Sequence, residues 1–272
     1  MNVKHEPKFF KQWAEKQHEL EPHLNISVVV PAFNEELRLP PTLIDMIDYF
    51  DTKGETYEII VVDDGSSDNT GAIVKKFTKI RPHVKLITLP ENCGKGRAVR
   101  TGALRALGHT ILLADADGST PIEELERLQK VMEQGRDIAI GSRAMASTET
   151  RIVTKWYRKV LGRIFNRCVN IILLPGIADT QCGFKLFSAP AAAYIFSTQK
   201  SNRFSFDIEL LYIARKTDLT VAEIPINWVN IPGSKVNLLV DAFKMFCDIF
   251  LFKIQHRKLT PTDYQRFLGQ AD

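Results

Sequence analysis

The stretch YEIIVVDDGSSD, residues 57–68, contains an apolar, β-branched run that ends in two adjacent carboxylates and a turn. Such a run predicts a buried strand, and Gly65 followed by two serines predicts the turn that ends it. A second run, ISVVVP, occupies residues 26–31, and apolar residues at helical spacing fill residues 39–50 between the two. The order strand, helix, strand predicts a right-handed βαβ unit with parallel strands.

The same alternation continues along the first half of the chain. Further strands are predicted at 84–89, 110–114 and 137–140, and helices at 69–80, 97–107 and 121–134. This order predicts an α/β fold with a mostly parallel central sheet and helices on both faces. Ligands of such sheets bind beyond the carboxyl ends of the strands, so the residues that follow each strand are the functional candidates.

The pattern changes after Arg143. A long helix is predicted at 151–174, strands at 183–187 and 220–224, and further helices at 206–215 and 236–254. We therefore divide the chain into an N-terminal extension (1–24), a first half (25–143), a second half with a C-terminal helix (144–256) and a tail (257–272). The two halves are expected to form one continuous fold.

The composition is that of an ordinary globular protein: 272 residues, 44% hydrophobic, with 36 Lys and Arg against 32 Asp and Glu. It excludes a disordered chain and a disulfide scaffold, and a net charge of +4 is too small to predict nucleic-acid binding. The four cysteines lack zinc-ligand spacing, which favours a reducing compartment. The N-terminus lacks the apolar core of a signal peptide and no window is apolar enough to span a bilayer, so we expect a cytoplasmic protein.

Two common nucleotide sites are absent from the predicted strand ends. PAFNE, residues 31–35, lacks the glycines of a dinucleotide-binding turn, and the glycine pair around Lys95 lacks the flanking residues of a P-loop. Lys95 lies in NCGKGR, residues 92–97. Its two glycines suit either an anion that approaches the backbone or close packing of the helix that follows.

Carboxylates end two of the predicted strands. Asp63 and Asp64 would repel each other at a buried strand end, so we expect their carboxylates to accept hydrogen bonds from a nucleobase or ribose. The serines after them suit a turn and a helix cap. Asp115 and Asp117 reach one side only if the chain turns between them, as Gly118 suggests. Oxygen ligands at this spacing suit Mg²⁺ or Mn²⁺, which would neutralise a diphosphate leaving group.

These motifs, in this order, resemble the inverting family 2 glycosyltransferases of GT-A fold. Later stretches are similar to the dolichyl-phosphate glucosyltransferase branch of that family: IGSR at 140–143, DTQCGFKLF at 179–187, FDIELL at 206–211 and IPGSKV at 231–236. The resemblance covers nearly all of the chain except its first 24 and last 15 residues.

The resemblance implies a role for each matching position. The first half would bind the nucleotide sugar, with base and ribose contacts from Pro31, Phe33, Glu35, Val62 and Asp64. Lys235 would reach the donor diphosphate or sugar, and Lys95 would supply charge nearby. Asp115 and Asp117 would be the metal motif, with Asp117 the firmer ligand; Ser119 stands where related enzymes often have a third ligand, Gln.

The second half would bind the acceptor, which the resemblance implies is a polyprenyl phosphate. Arg143 and Arg151 would receive its phosphate, within an Arg series that continues at 158, 163 and 167. A phosphate is already anionic, so it needs positioning cations rather than a strong base. A hydroxyl acceptor would need a carboxylate base, for which Asp179 and Glu209 are candidates. The alternatives are that Asp179 pairs with an arginine and that Glu209 forms a surface pair.

The residues and the resemblance together predict a metal-dependent transferase with Asp117, Arg143 and Asp179 as catalytic residues, and the resemblance implies UDP-glucose as donor. The alternatives are the same fold with GDP-mannose or a sugar-hydroxyl acceptor, a non-catalytic nucleotide-sugar sensor, and a nucleotidyltransferase, whose glycine-rich loop is missing. The basic helix from 151 and the apolar segment at 243–254 would suit a membrane surface or a homo-oligomer contact.

Overall fold

A computed structural model describes residues 24–145, 147, 150, 152–153, 166–232 and 238–271, without the side chains of 153, 238–243 and 271. Its main element is a seven-stranded sheet in the order β3-β2-β1-β4-β7-β5-β8. The strands are β1 (Ile26–Ala32), β2 (Tyr57–Asp63), β3 (Val84–Thr88), β4 (Thr110–Leu113), β5 (Ile138–Ser142), β7 (Lys185–Ser188) and β8 (Val221–Pro225). Two short strands, β6 (Ile152–Val153) and β9 (Trp228–Val229), pair separately.

Helices cover both faces of the sheet, as predicted. They are α1 (Leu39–Lys53), α2 (Thr70–Ile80), α3 (Lys95–Ala103), α4 (Leu125–Met132), α5 (Ala189–Thr198), α6 (Phe206–Lys216), α7 (Leu238–Gln255) and α8 (Pro261–Ala271). Side chains of β1 alternate between two core clusters. Val28 belongs to the cluster with α1, α2 and α4, and Val29 belongs to the cluster with α3, α5 and α6. Since each face has its own apolar core, every central strand is buried on both sides.

One strand of the second half lies inside the sheet of the first half. β7 runs antiparallel between β4 and β5, with Leu186 opposite both Leu112 and Ala139. The remaining pairings of the sheet, β1 with β2 and β4, β2 with β3, and β5 with β8, are parallel. The boundary at 143 therefore divides one continuous sheet.

The prediction of one long helix at 151–174 is wrong at the start of that range. Residues 152–153 form β6, which pairs in parallel with β9, and helical structure is described at 166–172. Val229 donates its backbone N–H to the Ser119 carbonyl at 2.9 Å, so β9 also reaches the end of the Asp117 turn. Pairing with a distant strand decides the conformation of 152–153, and this pairing leaves no local pattern in the sequence.

Two helices were not predicted. α5 begins with Pro190 in its first turn and is capped by Ser188, whose side chain accepts from the Ala191 amide. α8 occupies most of the expected tail, and Tyr264 packs edge-on against Tyr194 of α5 with ring centroids 5.3 Å apart. Among the described residues, no helix has the length and apolar character needed to cross a membrane.

Candidate active site

The carboxyl ends of β1, β2, β4 and β5 meet at one edge of the sheet, where most of the described candidate residues lie. A small cleft at this edge has walls from several elements, formed by Pro31, Lys95, Val99, Leu113, Ala114, Asp115, Gly183 and Phe206. Of the predicted donor residues, Pro31, Lys95 and Asp115 line this cleft directly. Arg151 and Lys235 lie outside the described residues.

Asp64 ties the loop before α3 to the end of β2. Its two carboxylate oxygens accept the backbone N–H groups of Cys93 at 2.8 Å and Gly94 at 2.9 Å. Burial raises the pKa of Asp64 above its ordinary value, and these two hydrogen bonds partly offset that effect. The geometry therefore shows Asp64 fixing the Lys95 loop, and a contact with the base stays a prediction.

The two glycines around Lys95 are explained by a close contact with the segment before α6. Gly94 has φ +101°, and a Cβ there would overlap the carbonyl oxygen of Asn202. A Cβ on Gly96 would lie 2.6 Å from the carbonyl oxygen of Ser201. Close packing therefore accounts for both glycines, but they pack against the backbone of residues 201–202 and not against the sheet.

Lys95 and Asp115 form an ion pair in the cleft, with Nζ 2.6 Å from Oδ1. Exclusion of water would by itself lower the pKa of Lys95 and raise that of Asp115. Opposite charges outweigh this effect for both groups: Asp115 and Asp207 raise the pKa of Lys95, while Lys95, Arg143 and Lys185 lower the pKa of Asp115. Both side chains are therefore charged at neutral pH.

Asp117 follows Asp115 across the expected turn, with Gly118 at φ +68°. Its Oδ1 accepts the backbone N–H of Ser119 at 3.0 Å, and its Oδ2 lies 3.7 Å from Nη1 of Arg38. The side chain keeps 24% of its surface exposed. Asp117 thus presents an accessible carboxylate oxygen, whereas Ser119 is buried.

Arg143 is held by Asp179 through a two-pronged ion pair. Nε and Nη2 of Arg143 donate to Oδ2 and Oδ1 of Asp179 at 2.7 and 2.9 Å, and the Arg143 backbone N–H donates to Oδ2 at 3.0 Å. Burial alone would raise the pKa of Asp179, but Arg143 outweighs it and lowers the pKa. Asp179 therefore pairs with an arginine, which was one of the two interpretations. No described contact favours a role as base, which stays a prediction.

Three functional candidates were missed by the sequence analysis. Lys185 and Asp207 form a buried ion pair, with Nζ 2.5 Å from Oδ1, and Lys185 is close enough to Asp115 to lower its pKa. A lysine inside the apolar run GFKLF was an available signal, because a buried charge requires a partner. Arg38 donates to Glu35 at 2.7 Å and to the Pro232 carbonyl at 3.1 Å. It lies outside every motif, so no pattern indicated it.

The remaining predicted residues differ in their access to the cleft. Phe33 is half-buried, and the buried Glu35 accepts from Arg38. Val62 is fully buried beside Ile60 and Ala98, so the structure does not bring it to a surface where it could contact a nucleotide. The expected surface pair of Glu209 is wrong, because its carboxylate is fully buried and bound to His256.

Within the described ranges, no group of three or more His, Cys, Asp and Glu side chains is placed to hold a metal. Asp115 and Asp117 therefore supply at most two protein ligands, since the buried Ser119 replaces the expected Gln. Mg²⁺ is often bound by one or two carboxylates together with substrate phosphates and water. The oxygen-only set at this turn fits such a cation.

A mostly parallel sheet with an Asp-Ala-Asp turn beyond β4 is the arrangement expected of a glycosyltransferase of GT-A fold. The sequence profile of glycosyl transferase family 2 matches residues 27–196, and the chain belongs to this family. It is similar to dolichyl-phosphate beta-glucosyltransferases of Trichomonas vaginalis (40% identity, 84% of this chain and 71% of the relative) and Homo sapiens (38%, 86% and 76%). A Saccharomyces cerevisiae relative of the same name is 36% identical, over 88% of this chain and 77% of its own.

Solved structures confirm the fold. Glucosyl-3-phosphoglycerate synthase from Mycobacterium tuberculosis, crystallised with Mn²⁺ and UDP-glucose, has a TM-score of 0.60 at 18% identity, over 92% of this chain and 84% of its own. Mannosyl-3-phosphoglycerate synthase from Rubrobacter xylanophilus has a TM-score of 0.63 at 15% identity, over 89% and 76%. These similarities establish the α/β GT-A architecture that the sequence predicted.

Gly183 lies against Asp115, and adding a methyl group there should weaken donor binding. A Cβ would be 2.6 Å from the carboxyl carbon of Asp115, so in Gly183→Ala this carboxylate must move from the position in which it pairs with Lys95. We expect KM for the donor to rise about tenfold, with little change in thermal stability because only a side-chain end moves. Steady-state kinetics and thermal unfolding measure both quantities.

Gly269→Ala is the matched control, since a Cβ at this helical glycine meets nothing within 4 Å. It should leave KM unchanged and stabilise α8 slightly. An unchanged donor KM in Gly183→Ala would show that the Asp115 carboxylate can move without consequence for the donor.

Proposed function

We propose that this chain transfers glucose from UDP-glucose to dolichyl phosphate, with Mg²⁺ or Mn²⁺ as cofactor. Relatives named dolichyl-phosphate beta-glucosyltransferase are similar to this chain over more than two thirds of its length and of their own. The single observation that carries the proposal is the joint placement of an accessible Asp117 and of Arg143, held by Asp179, beyond the ends of β4 and β5. The two charges suit the two phosphate-bearing substrates of such a transfer.

The donor side of the proposal rests on Asp115, Asp117 and Lys95. The Asp-Ala-Asp turn would hold the cation together with the donor diphosphate, and the cation would neutralise charge on the departing UDP. Lys95 keeps the Asp115 carboxylate ionised and fixed in the cleft. Asp64 holds the loop that carries Lys95, so the donor meets a surface organised before it binds. Lys235 is proposed to complete this side.

The acceptor side of the proposal rests on Arg143. Its guanidinium plane is fixed at two points by Asp179 and lies over the ring of Trp228, 5.4 Å from the centroid. A fixed guanidinium can orient an anionic phosphate oxygen in line with the anomeric carbon, which inversion requires. Because that oxygen is already a nucleophile, no side chain has to remove a proton. Arg151 is proposed as a second phosphate contact.

Purified protein should release UDP and form a lipid-linked glucose when given UDP-glucose, dolichyl phosphate and Mn²⁺. GDP-mannose, and a soluble glycan offered as acceptor, test the two alternative reactions in parallel. Faster turnover with GDP-mannose, or transfer to the glycan and not to the lipid phosphate, would replace the proposed substrates. Binding of UDP-glucose without turnover in any arm would favour the nucleotide-sugar sensor.

We also propose that the outer face of α7 contacts the membrane that holds the acceptor. Its inner face is buried through Met245, Ile249 and Phe252, whereas Phe250 and Ile254 are 48% and 64% exposed. Three exposed basic residues flank this outer face: Lys253, Arg257 and Lys258. Apolar side chains bordered by cations suit the interface of an anionic bilayer. A homo-oligomer contact through the same face is the alternative.

Phe250→Ser with Ile254→Ser should weaken binding to vesicles of phosphatidylcholine and phosphatidylserine by about tenfold or more, because two large apolar side chains no longer enter the interface. Sedimentation of protein with vesicles measures this. Ile80→Ser with Leu107→Ser is the matched control, since these side chains are 74% and 65% exposed outside α7. Equal vesicle binding by both variants, with a change of mass in solution only for the α7 variant, would favour the oligomer.

A further inference from the structure

A buried pair joins α6 to the end of α7. Nε2 of His256 lies 2.7 Å from Oε1 of Glu209, and the two side chains are 2% and 0% exposed. The pair lies outside the acidic turn and the Arg143 site described above. A carboxylate removed from water this completely has to be satisfied by hydrogen-bond donors.

The other donors to Glu209 come from the backbone of the segment that precedes α6. Oε1 accepts the N–H of Lys200 at 3.0 Å, and Oε2 accepts the N–H of Ser201 at 2.7 Å. Charged acceptors make the stronger class of hydrogen bond. Glu209 therefore fixes the backbone of residues 200–201.

This segment in turn holds the loop that carries Lys95. Gln199 donates Nε2 to the Gly96 carbonyl at 2.9 Å, and the Arg97 amide donates to the Asn202 carbonyl at 3.1 Å. The missing Cβ of Gly96 leaves room for the Ser201 carbonyl. Lys95 immediately precedes these contacts in the chain, and its side chain extends to Asp115.

A second link runs from α7 to the same segment. Ser205 donates its hydroxyl to Asp248 of α7, and the hydroxyls of Ser205 and Ser201 lie 3.2 Å apart. Residues 199–205 therefore have α7 on one side and the Lys95 loop on the other. Any shift of α7 at Asp248 or His256 acts on this segment before it reaches the cleft.

We propose that Glu209 is a positioning residue for the donor site, acting through residues 199–202 to hold Lys95 at Asp115, and that His256 makes this position depend on α7. The inference rests on the proposed function for its kinetic consequence. Its structural part, the coupling of α7 to the Lys95 loop, concerns the protein without substrate.

Glu209→Gln tests the coupling directly. In either orientation its amide places N–H groups against at least one backbone donor, of Lys200 or of Ser201, and that hydrogen bond is lost. Hydrogen exchange of the substrate-free protein should become about tenfold faster at the amides of both 199–202 and 93–97, and stay unchanged in β2. Faster exchange at 199–202 alone, or equally at every segment, would overturn the proposal.

Glu58→Gln is the matched control. Glu58 is 1% exposed and accepts the Leu107 amide at 2.7 Å, but it lies near the start of β2, away from the cleft. It should not accelerate exchange at 93–97 or change KM for UDP-glucose. If it does both, general loss of stability explains Glu209→Gln and the positioning role is wrong.

His256 supplies a second pair of variants should Glu209→Gln fail to fold. Gln at 256 can still donate to Glu209, whereas Phe cannot, so we expect His256→Phe to raise the donor KM about tenfold at nearly constant kcat and His256→Gln to keep most of the affinity. Equal kinetics for the two variants would exclude His256 from the coupling. If the unsubstituted protein shows no transfer activity but Glu209→Gln still accelerates hydrogen exchange at 93–97, the proposed function is refuted and the coupling is retained.

Discussion

Asp117→Ala should remain folded and lose transfer activity by about a thousandfold, corresponding to ~4 kcal/mol of transition-state stabilisation. The fold should tolerate the change because the partly exposed Asp117 makes one backbone hydrogen bond, to Ser119, and a long contact to Arg38. The activity should not tolerate it, because Asp117 is the accessible carboxylate proposed to hold the cation. Initial rates of UDP release and thermal unfolding measure the two effects.

Mn²⁺ binding in the presence of UDP provides a readout that is independent of turnover. Asp117→Ala should abolish it, and EDTA should stop turnover of the unchanged protein. Asp218→Asn is the matched control, since Asp218 lies in an exposed turn with φ +54°, a conformation that Asn adopts readily. Undiminished turnover in Asp117→Ala would remove the acidic turn from the mechanism.

Arg143→Ala should lower kcat/KM for the lipid phosphate by about a hundredfold or more, while KM for UDP-glucose changes little. The guanidinium is the fixed cation proposed to meet the acceptor phosphate, and Asp179 holds it at two points. Arg143→Lys should recover only part of the loss, because a lysine cannot make that paired contact. Kinetics with varied dolichyl phosphate measure the effect.

A double-mutant cycle separates the two interpretations of Asp179. If Asp179 only positions Arg143, then Asp179→Asn combined with Arg143→Ala should be no slower than Arg143→Ala alone. If Asp179 is a base, the second substitution should cost a further large factor in kcat. Arg127→Ala is the control. The Nε of Arg127 lies 3.2 Å from Oε2 of Glu124, and neither side chain lines the cleft.

The strand and helix pattern of the first half was predictable because each of its signals is local. The apolar runs that become β2 and β4 end where the sheet ends, so Asp63, Asp64 and Asp117 were predicted at one edge without knowledge of any contact. Parallel strands place their carboxyl ends together, which made the cleft predictable in position. Motif spacing also led to the family, which the profile match confirms.

The partners of these residues were not predictable, since each lies far away in the chain. Asp179 meets Arg143 across 36 positions, and β7 inserts between two strands of the first half by running antiparallel to them. The sequence suggested an acidic cluster and a separate basic segment. In the fold, Lys95, Arg143 and Lys185 instead surround Asp115 and lower its pKa.

The sequence by itself determined the α/β class, the edge of the sheet that carries the site, and the carboxylates of the acidic turn, because strand periodicity and turn chemistry are properties of neighbouring residues. Only the tertiary structure decided what each charge does. The Ser201 carbonyl leaves no room for a Cβ at position 96, which is glycine, and Glu209 is a buried acceptor for the Ser201 amide rather than a surface residue. A buried charge persists only where the fold supplies its partner, and that partner is chosen by packing across the whole chain.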